Sequence, residues 1–159
     1  MFKPQKKDQY ALRAIYELAK QKGKGPIKVA EIADAQHIPQ RFLEVILNQL
    51  KGSGLIASKR GFTGGYVLVR APANITVGEI FHFMQGSRQP LFCVAGDNEE
   101  HCRLYGRCAL APFWQRVQEA VYRIFEETTI QDLLDNEQLD MELVTAGRKS
   151  SRAEPEGRS

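Results

Sequence analysis

Long apolar runs are missing from this chain. No stretch of about 18 uninterrupted apolar residues occurs in its 159 residues, so no membrane-spanning helix and no membrane partner is expected. The opening Met1-Phe2-Lys3-Pro4-Gln5-Lys6-Lys7 has no apolar stretch behind it, which argues against a secretory leader and for a reducing, cytoplasmic location. Catalytic signatures are absent too: there is no nucleophile elbow, no phosphate-cradling glycine loop and no buried-carboxylate pattern, so an enzyme is not expected. Tryptophan occurs once, and cysteine only three times. The length suits about one domain with a real core.

Those few cysteines fall together. Cys93, Cys102 and Cys108 share one Gly- and charge-rich stretch that also carries His101. A disulfide would leave one thiol over and fits a reducing compartment poorly. Converging thiolates suit zinc or an iron–sulfur cluster, each of which takes four ligands, so one ligand must come from elsewhere. Redox-reactive thiols without metal, and inert thiols, are the other readings. For His101 an ordinary loop histidine is the alternative to a ligand.

Charge is unevenly spread. Residues 1–75 hold 13 Lys and Arg against 5 Asp and Glu, whereas residues 76–144 hold 5 against 12. A basic half joined to an acidic half points to a polyanion as the first half's partner.

Periodicity supplies the elements. Ala11, Ala14, Ile15, Leu18 and Ala19 mark a first helix that stops at Gly23-Lys24-Gly25-Pro26, and Val29, Ile32 and Ala33 mark a short second one. Pro39 suits the first turn of a third helix, predicted to bury Phe42, Leu43, Ile46 and Leu50 and to present Arg41, Glu44, Asn48 and Lys51 on a polar face. Leu55–Ser58 and Tyr66–Val69, joined through Lys59, Arg60 and a glycine-rich tip, read as a β-hairpin. Thr76-Val77-Gly78-Glu79 is a capping box opening a helix that buries Ile80, Phe83 and Met84. After Cys108 comes the longest stripe, Leu110, Phe113, Trp114, Val117, Val121, Ile124 and Phe125, which packs on its own domain or also on a second subunit. Thr129-Ile130-Gln131-Asp132 starts a last short helix with Leu133 and Leu134 to bury. The expected fold is mainly α with a small β-hairpin wing. It comprises a winged helix-turn-helix DNA-binding domain over 1–88, a cysteine loop over 89–108, a dimerisation helix and short helix over 109–144, and a disordered tail over 145–159.

Taken together, Tyr10-Ala11-Leu12-Arg13-Ala14, Phe42-Leu43-Glu44, Leu50-Lys51-Gly52-Ser53-Gly54-Leu55-Ile56, Arg60-Gly61, Gly64-Gly65-Tyr66, Val77-Gly78-Glu79 and the three cysteines carry a likeness. Over roughly residues 8–137 the chain resembles the Rrf-two family of bacterial transcription regulators. The resemblance implies a homodimeric repressor or activator on double-stranded DNA, with a cluster near the base of the long helix. It implies base-facing positions at Arg41 and Glu44 and a minor-groove wing arginine at Arg60. Gln40, Asn48, Lys51 and Lys59 complete the expected DNA-binding set. Arg can pair with guanine and Glu can accept from cytosine, although an Arg41–Glu44 surface ion pair is the plain alternative.

Two departures from the family pattern stand out. The family's usual cysteine spacing is two intervals of five residues, and here the first interval holds eight, which leaves [2Fe-2S] and [4Fe-4S] both open. Where the family's cluster regulator has a histidine three residues past its last cysteine, this chain has Ala111. The fourth-ligand candidates are Asp8 from a partner subunit, although Gln9 is the residue in register, and His101. The competing function is a winged-helix regulator with structural zinc or free thiols, controlled by a protein partner or a metabolite.

Overall fold

The computed structural model describes residues 5–86, 103–104 and 106–136. Cys93, His101, Cys102 and the segment 145–159 lie outside the described residues.

Helix α1 (Lys6–Lys20) is the centre of the molecule. Its stripe of Ala11, Ala14, Ile15, Leu18 and Ala19 is buried, and the small alanines let neighbours approach closely. Helices α2 (Val29–Gln36), α3 (Gln40–Lys51) and α4 (Val77–Gln85) all pack on it. Between α2 and α3 the chain turns through His37, which takes the left-handed conformation at φ 49°, ψ 47° and caps α2. Ile38 then plugs the core, and Pro39 sits one residue ahead of α3 as its N-cap, not inside its first turn.

On α3 the buried face differs from the expected one at Phe42. Leu43, Ile46, Leu47 and Leu50 are buried, at the i, i+3, i+4, i+7 spacing of a single face, while Phe42 is 58% exposed. Phe42 lies one residue ahead of that face, so helix geometry turns it outward however apolar it is.

The wing is an antiparallel pair, β1 (Ile56–Lys59) and β2 (Gly65–Leu68), in the register Ile56↔Leu68 to Lys59↔Gly65. Ile27 adds a short third edge: its N–H donates to the Tyr66 carbonyl at 3.0 Å, and the Tyr66 N–H donates back at 2.9 Å. A Cβ on Gly65 would come 2.3 Å from the Ile27 carbonyl oxygen, so this three-way meeting of backbones requires glycine.

Thr76 caps α4 by accepting from the Glu79 N–H at 3.1 Å. The Glu79 carboxylate does not close the box; it pairs with Arg70 at 2.5 Å, and Arg70 also donates to the Asn74 carbonyl. Helix α5 (Ala111–Glu127) lies on α4, with the Phe81 and Phe125 ring centroids 5.1 Å apart. Past α5 the chain returns to the first core. Val77 N–H donates to the Thr128 carbonyl and Ile130 N–H to the Ile75 carbonyl, both at 2.9 Å. This docks α6 (Ile130–Asp135), whose Ile130 is fully buried among the α1 side chains' own cluster, with Leu133 and Leu134 packed at its edge.

Candidate nucleic-acid interface and thiol site

Opposite its buried face, α3 presents Gln40, Arg41, Glu44, Val45, Asn48 and Lys51 to solvent. The Gln40 amide donates to the Glu44 carboxylate at 3.0 Å, and among the described residues no Arg41–Glu44 ion pair forms. Arg41 therefore stands free on the outward face, with its five donors unspent. Because β1 follows α3 directly and packs against it, the wing stands beside this helix. Lys59 and Arg60 are exposed where β1 ends. At the tip, Gly61 takes φ +111°, and a Cβ on Gly64 would fall 2.3 Å from the Lys59 carbonyl oxygen, so both glycines are needed to turn the chain. The turn holds Phe62 94% exposed, with the Lys28 ammonium 5.4 Å from its ring centre. Other cations are committed to the fold. Lys22 donates to the Leu68 and Val69 carbonyls at 3.1 Å each, and Lys7 donates to the Met84 carbonyl at 3.3 Å. All seven residues expected to meet DNA lie on α3 or at the wing and are exposed.

Of the expected thiol site, Cys108 is within the described residues. It is partly buried at the foot of α5, and its carbonyl accepts from the Ala111 N–H at 3.2 Å. Among the described residues no three His, Cys, Asp or Glu side chains gather. Asp8 is fully buried at the N-terminal turn of α1, where its Oδ2 accepts from the Gln5 N–H at 3.1 Å and from the Gln85 amide at 3.0 Å. Its Oδ1 is buried and, among the described residues, has no hydrogen-bond partner. Gln85 ends α4, one residue before Gly86 and two before the segment that carries Cys93. Asp8 thus joins the first helix to the root of the cysteine segment within one chain, and it holds one uncommitted oxygen donor of the kind a hard or borderline metal accepts.

Along α5 the apolar stripe is wider than α4 can cover. Phe125 faces α4, whereas Leu110, Phe113 and Ile124 are 62%, 55% and 59% exposed. Among the described residues no helix is long and apolar enough to cross a membrane.

Sequence reasoning missed Val45, 68% exposed on the outward face of α3, and mistook Phe42 for core. The signal was available: Leu43, Ile46, Leu47 and Leu50 already complete one helical face, which leaves both residues no core position to take.

Comparison with known proteins places this arrangement. The Rrf2 family, described as iron-dependent transcriptional regulators, matches residues 5–136. The transcriptional regulator CymR of Bacillus subtilis is 33% identical over 127 residues, covering 80% of this chain and 86% of its own. The transcriptional regulator IscR of Erwinia tasmaniensis is 31% identical over 155 residues, covering 96% and 90%. Solved structures agree: B. subtilis CymR, the global cysteine regulator of that organism, superposes with a TM-score of 0.71 at 34% identity over 84% of this chain and 96% of its own. T. potens IscR superposes at 0.68 with 28% identity, over 85% and 88%. The winged helix-turn-helix, its free basic face and these likenesses have one meaning: the chain belongs to the Rrf2 family and is a DNA-binding transcriptional regulator, not an enzyme.

Proposed function

We propose that this chain works as a homodimer on duplex DNA and regulates transcription through an iron–sulfur cluster held by Cys93, Cys102 and Cys108. The observation that carries the reading is the gathering of every cysteine between 93 and 108, ahead of α5. When bound there, a cluster would supply the iron chemistry that responds to oxidants or nitric oxide. Three thiolates provide soft donors, and the uncommitted Oδ1 of Asp8 or the imidazole of His101 fits the remaining place as a harder, more labile ligand. An Asp8 ligand in the same chain, as well as one from the partner, is compatible with its position beside Gln85.

The chain's own residues do the rest. Gln40 holds Glu44, leaving Arg41 free for guanine, while Glu44 can accept from a cytosine amine. Asn48 and Lys51 extend the same face, and Lys59 with Arg60 reaches the adjoining backbone and minor groove. The exposed flank of α5 pairs with its copy in the second subunit, which sets the spacing of the two α3 helices on successive half-sites. Since α5 starts just after Cys108 and rests on α4, a change at the thiols is transmitted to that spacing through one rigid helix.

An alternative, in which the thiols hold structural zinc or act without metal and the signal is a metabolite or protein partner, is favoured by the likeness to CymR, which in Staphylococcus aureus was solved in an oxidized form. Anaerobic purification decides between them. The cluster reading expects a brown protein with visible absorption bands, bound iron and acid-labile sulfide, all lost in the serine variants of Cys93, Cys102 and Cys108. A colourless protein that still binds DNA would overturn it.

A further inference from the structure

The outward face of α3 is not uniformly polar. Arg41, Val45 and Asn48 follow one another at i, i+4 and i+7, directly opposite the buried Leu43, Ile46, Leu47 and Leu50. Val45 is therefore at the centre of the face, 68% exposed, and Phe42 flanks it at 58%. Single exposed apolar residues are ordinary on a protein surface. These two are set among the polar groups that would meet base edges, where apolar side chains leave donors and acceptors unanswered. The strongly basic half of the chain around them, with free Arg41 and exposed Lys51, Lys59 and Arg60, fits an anionic duplex as the occupant of this face. In the major groove the one apolar group that projects from a base edge as a methyl is the C5-methyl of thymine, where cytosine has a bare C–H.

We infer that Val45, with Phe42 beside it, is a specificity residue that packs on the 5-methyl group of a thymine in each half-site. The inference rests on α3 being the base-reading helix. It adds that the operator carries thymine beside the base pair read by Arg41, and that Val45 is blind to hydrogen-bond patterns and sensitive to one methyl group. The Gln40–Glu44 bond contributes by drawing the Glu44 carboxylate toward the start of the helix and away from Val45.

The test uses the full chain and a duplex that it selects from random-sequence DNA, with each thymine replaced in turn by deoxyuridine, which removes only the methyl group. Wild-type protein should lose affinity about fourfold at one thymine per half-site, and about fifteenfold when both half-sites are substituted. Val45→Ala should bind the thymine duplex correspondingly more weakly and lose most of its discrimination against deoxyuridine at that place. Phe42→Ala should keep part of the discrimination. Equal deoxyuridine penalties in wild type and Val45→Ala, or none at any thymine, overturn the inference. Arg41→Ala in the same titration separates the two levels. If it loses sequence preference while the methyl group proves irrelevant, α3 still reads bases and only the role of Val45 falls; if it keeps full preference, α3 is not the reader and both fall.

Discussion

The Asp8 carboxylate accepts from the Gln85 side-chain amide at 3.0 Å, tying the first turn of α1 to the last residue of α4. Lys7 reinforces the joint from the preceding position by donating to the Met84 carbonyl. Asp8 is fully buried, so removing its carboxylate orphans the Gln85 amide and the Gln5 N–H together. Asp8→Ala should therefore lower the stability of the metal-free protein by about 1–3 kcal/mol, measured by urea unfolding. An unchanged midpoint would show that the joint contributes nothing. In iron-loaded protein, a shorter lifetime of the visible bands in air for Asp8→Asn, which preserves the volume of the side chain, would support Asp8 as a ligand.

DNA affinity should fall steeply with salt. A dimer would present two sets of Arg41, Lys51, Lys59 and Arg60, all exposed, and about six phosphate contacts would give a log–log slope near −5. Fluorescence anisotropy across salt concentrations measures it, and a nearly flat line is incompatible with the proposed interface.

Reading and positioning should separate by residue. Arg41→Ala should cost about 1–3 kcal/mol on the selected site and broaden base preference, because Arg41 stands free on the face. Lys51→Ala, at the end of α3, should weaken specific and random DNA alike. Equal losses on both DNAs for Arg41→Ala would remove it from base reading.

Much of this architecture was legible because it rests on periodicity. The stripe Ala11, Ala14, Ile15, Leu18 and Ala19, the hairpin around Gly64-Gly65, and the cap at Thr76 each follow from local rules that the three-dimensional fold does not override. Phe42 departs from that legibility because its angle on the helix, not its hydrophobicity, decides its exposure. The Asp8–Gln85 joint could not be read at all, since the two residues are 77 positions apart and only the packing of α1 on α4 brings them together. Nor did spacing reveal that Ile130, beyond the long helix, returns to the first core, a consequence of the Ile75 and Val77 backbone bonds.

Asp132 closes the cap of α6, accepting from the Thr129 hydroxyl at 2.6 Å and from its N–H at 2.8 Å. The hydroxyl bond, then the backbone bond, hold this exposed carboxyl below the usual value. A carboxyl whose folded value is depressed contributes stability above its unfolded value, about 3.9, and loses it as pH falls through the lower folded one. The cap should thus survive mild acid and fail only below that range. Thr129→Ala should move the Asp132 titration, followed by carboxyl NMR, back upward; no movement would disprove the hydroxyl's part.

Ile124 and Phe125 are neighbours in sequence with opposite duties. Phe125 meets Phe81 of α4 at 5.1 Å between ring centres, inside the chain, while Ile124 is 59% exposed on the flank that α4 leaves bare, with Phe113 and Leu110 along the same side. Phe125→Ala should accordingly lower the melting temperature by opening a space at the α4–α5 contact. Ile124→Glu removes little that the single chain buries, so its circular dichroism and folding should stay close to wild type. In a dimer built on this flank the new carboxylate would be buried unpaired, at a cost of several kcal/mol. Light scattering at micromolar concentration should then find Ile124→Glu as a monomer and the wild type as a dimer. DNA binding should weaken in step, since a monomer meets one half-site alone. A variant that stayed dimeric with unchanged affinity would move the subunit interface away from α5.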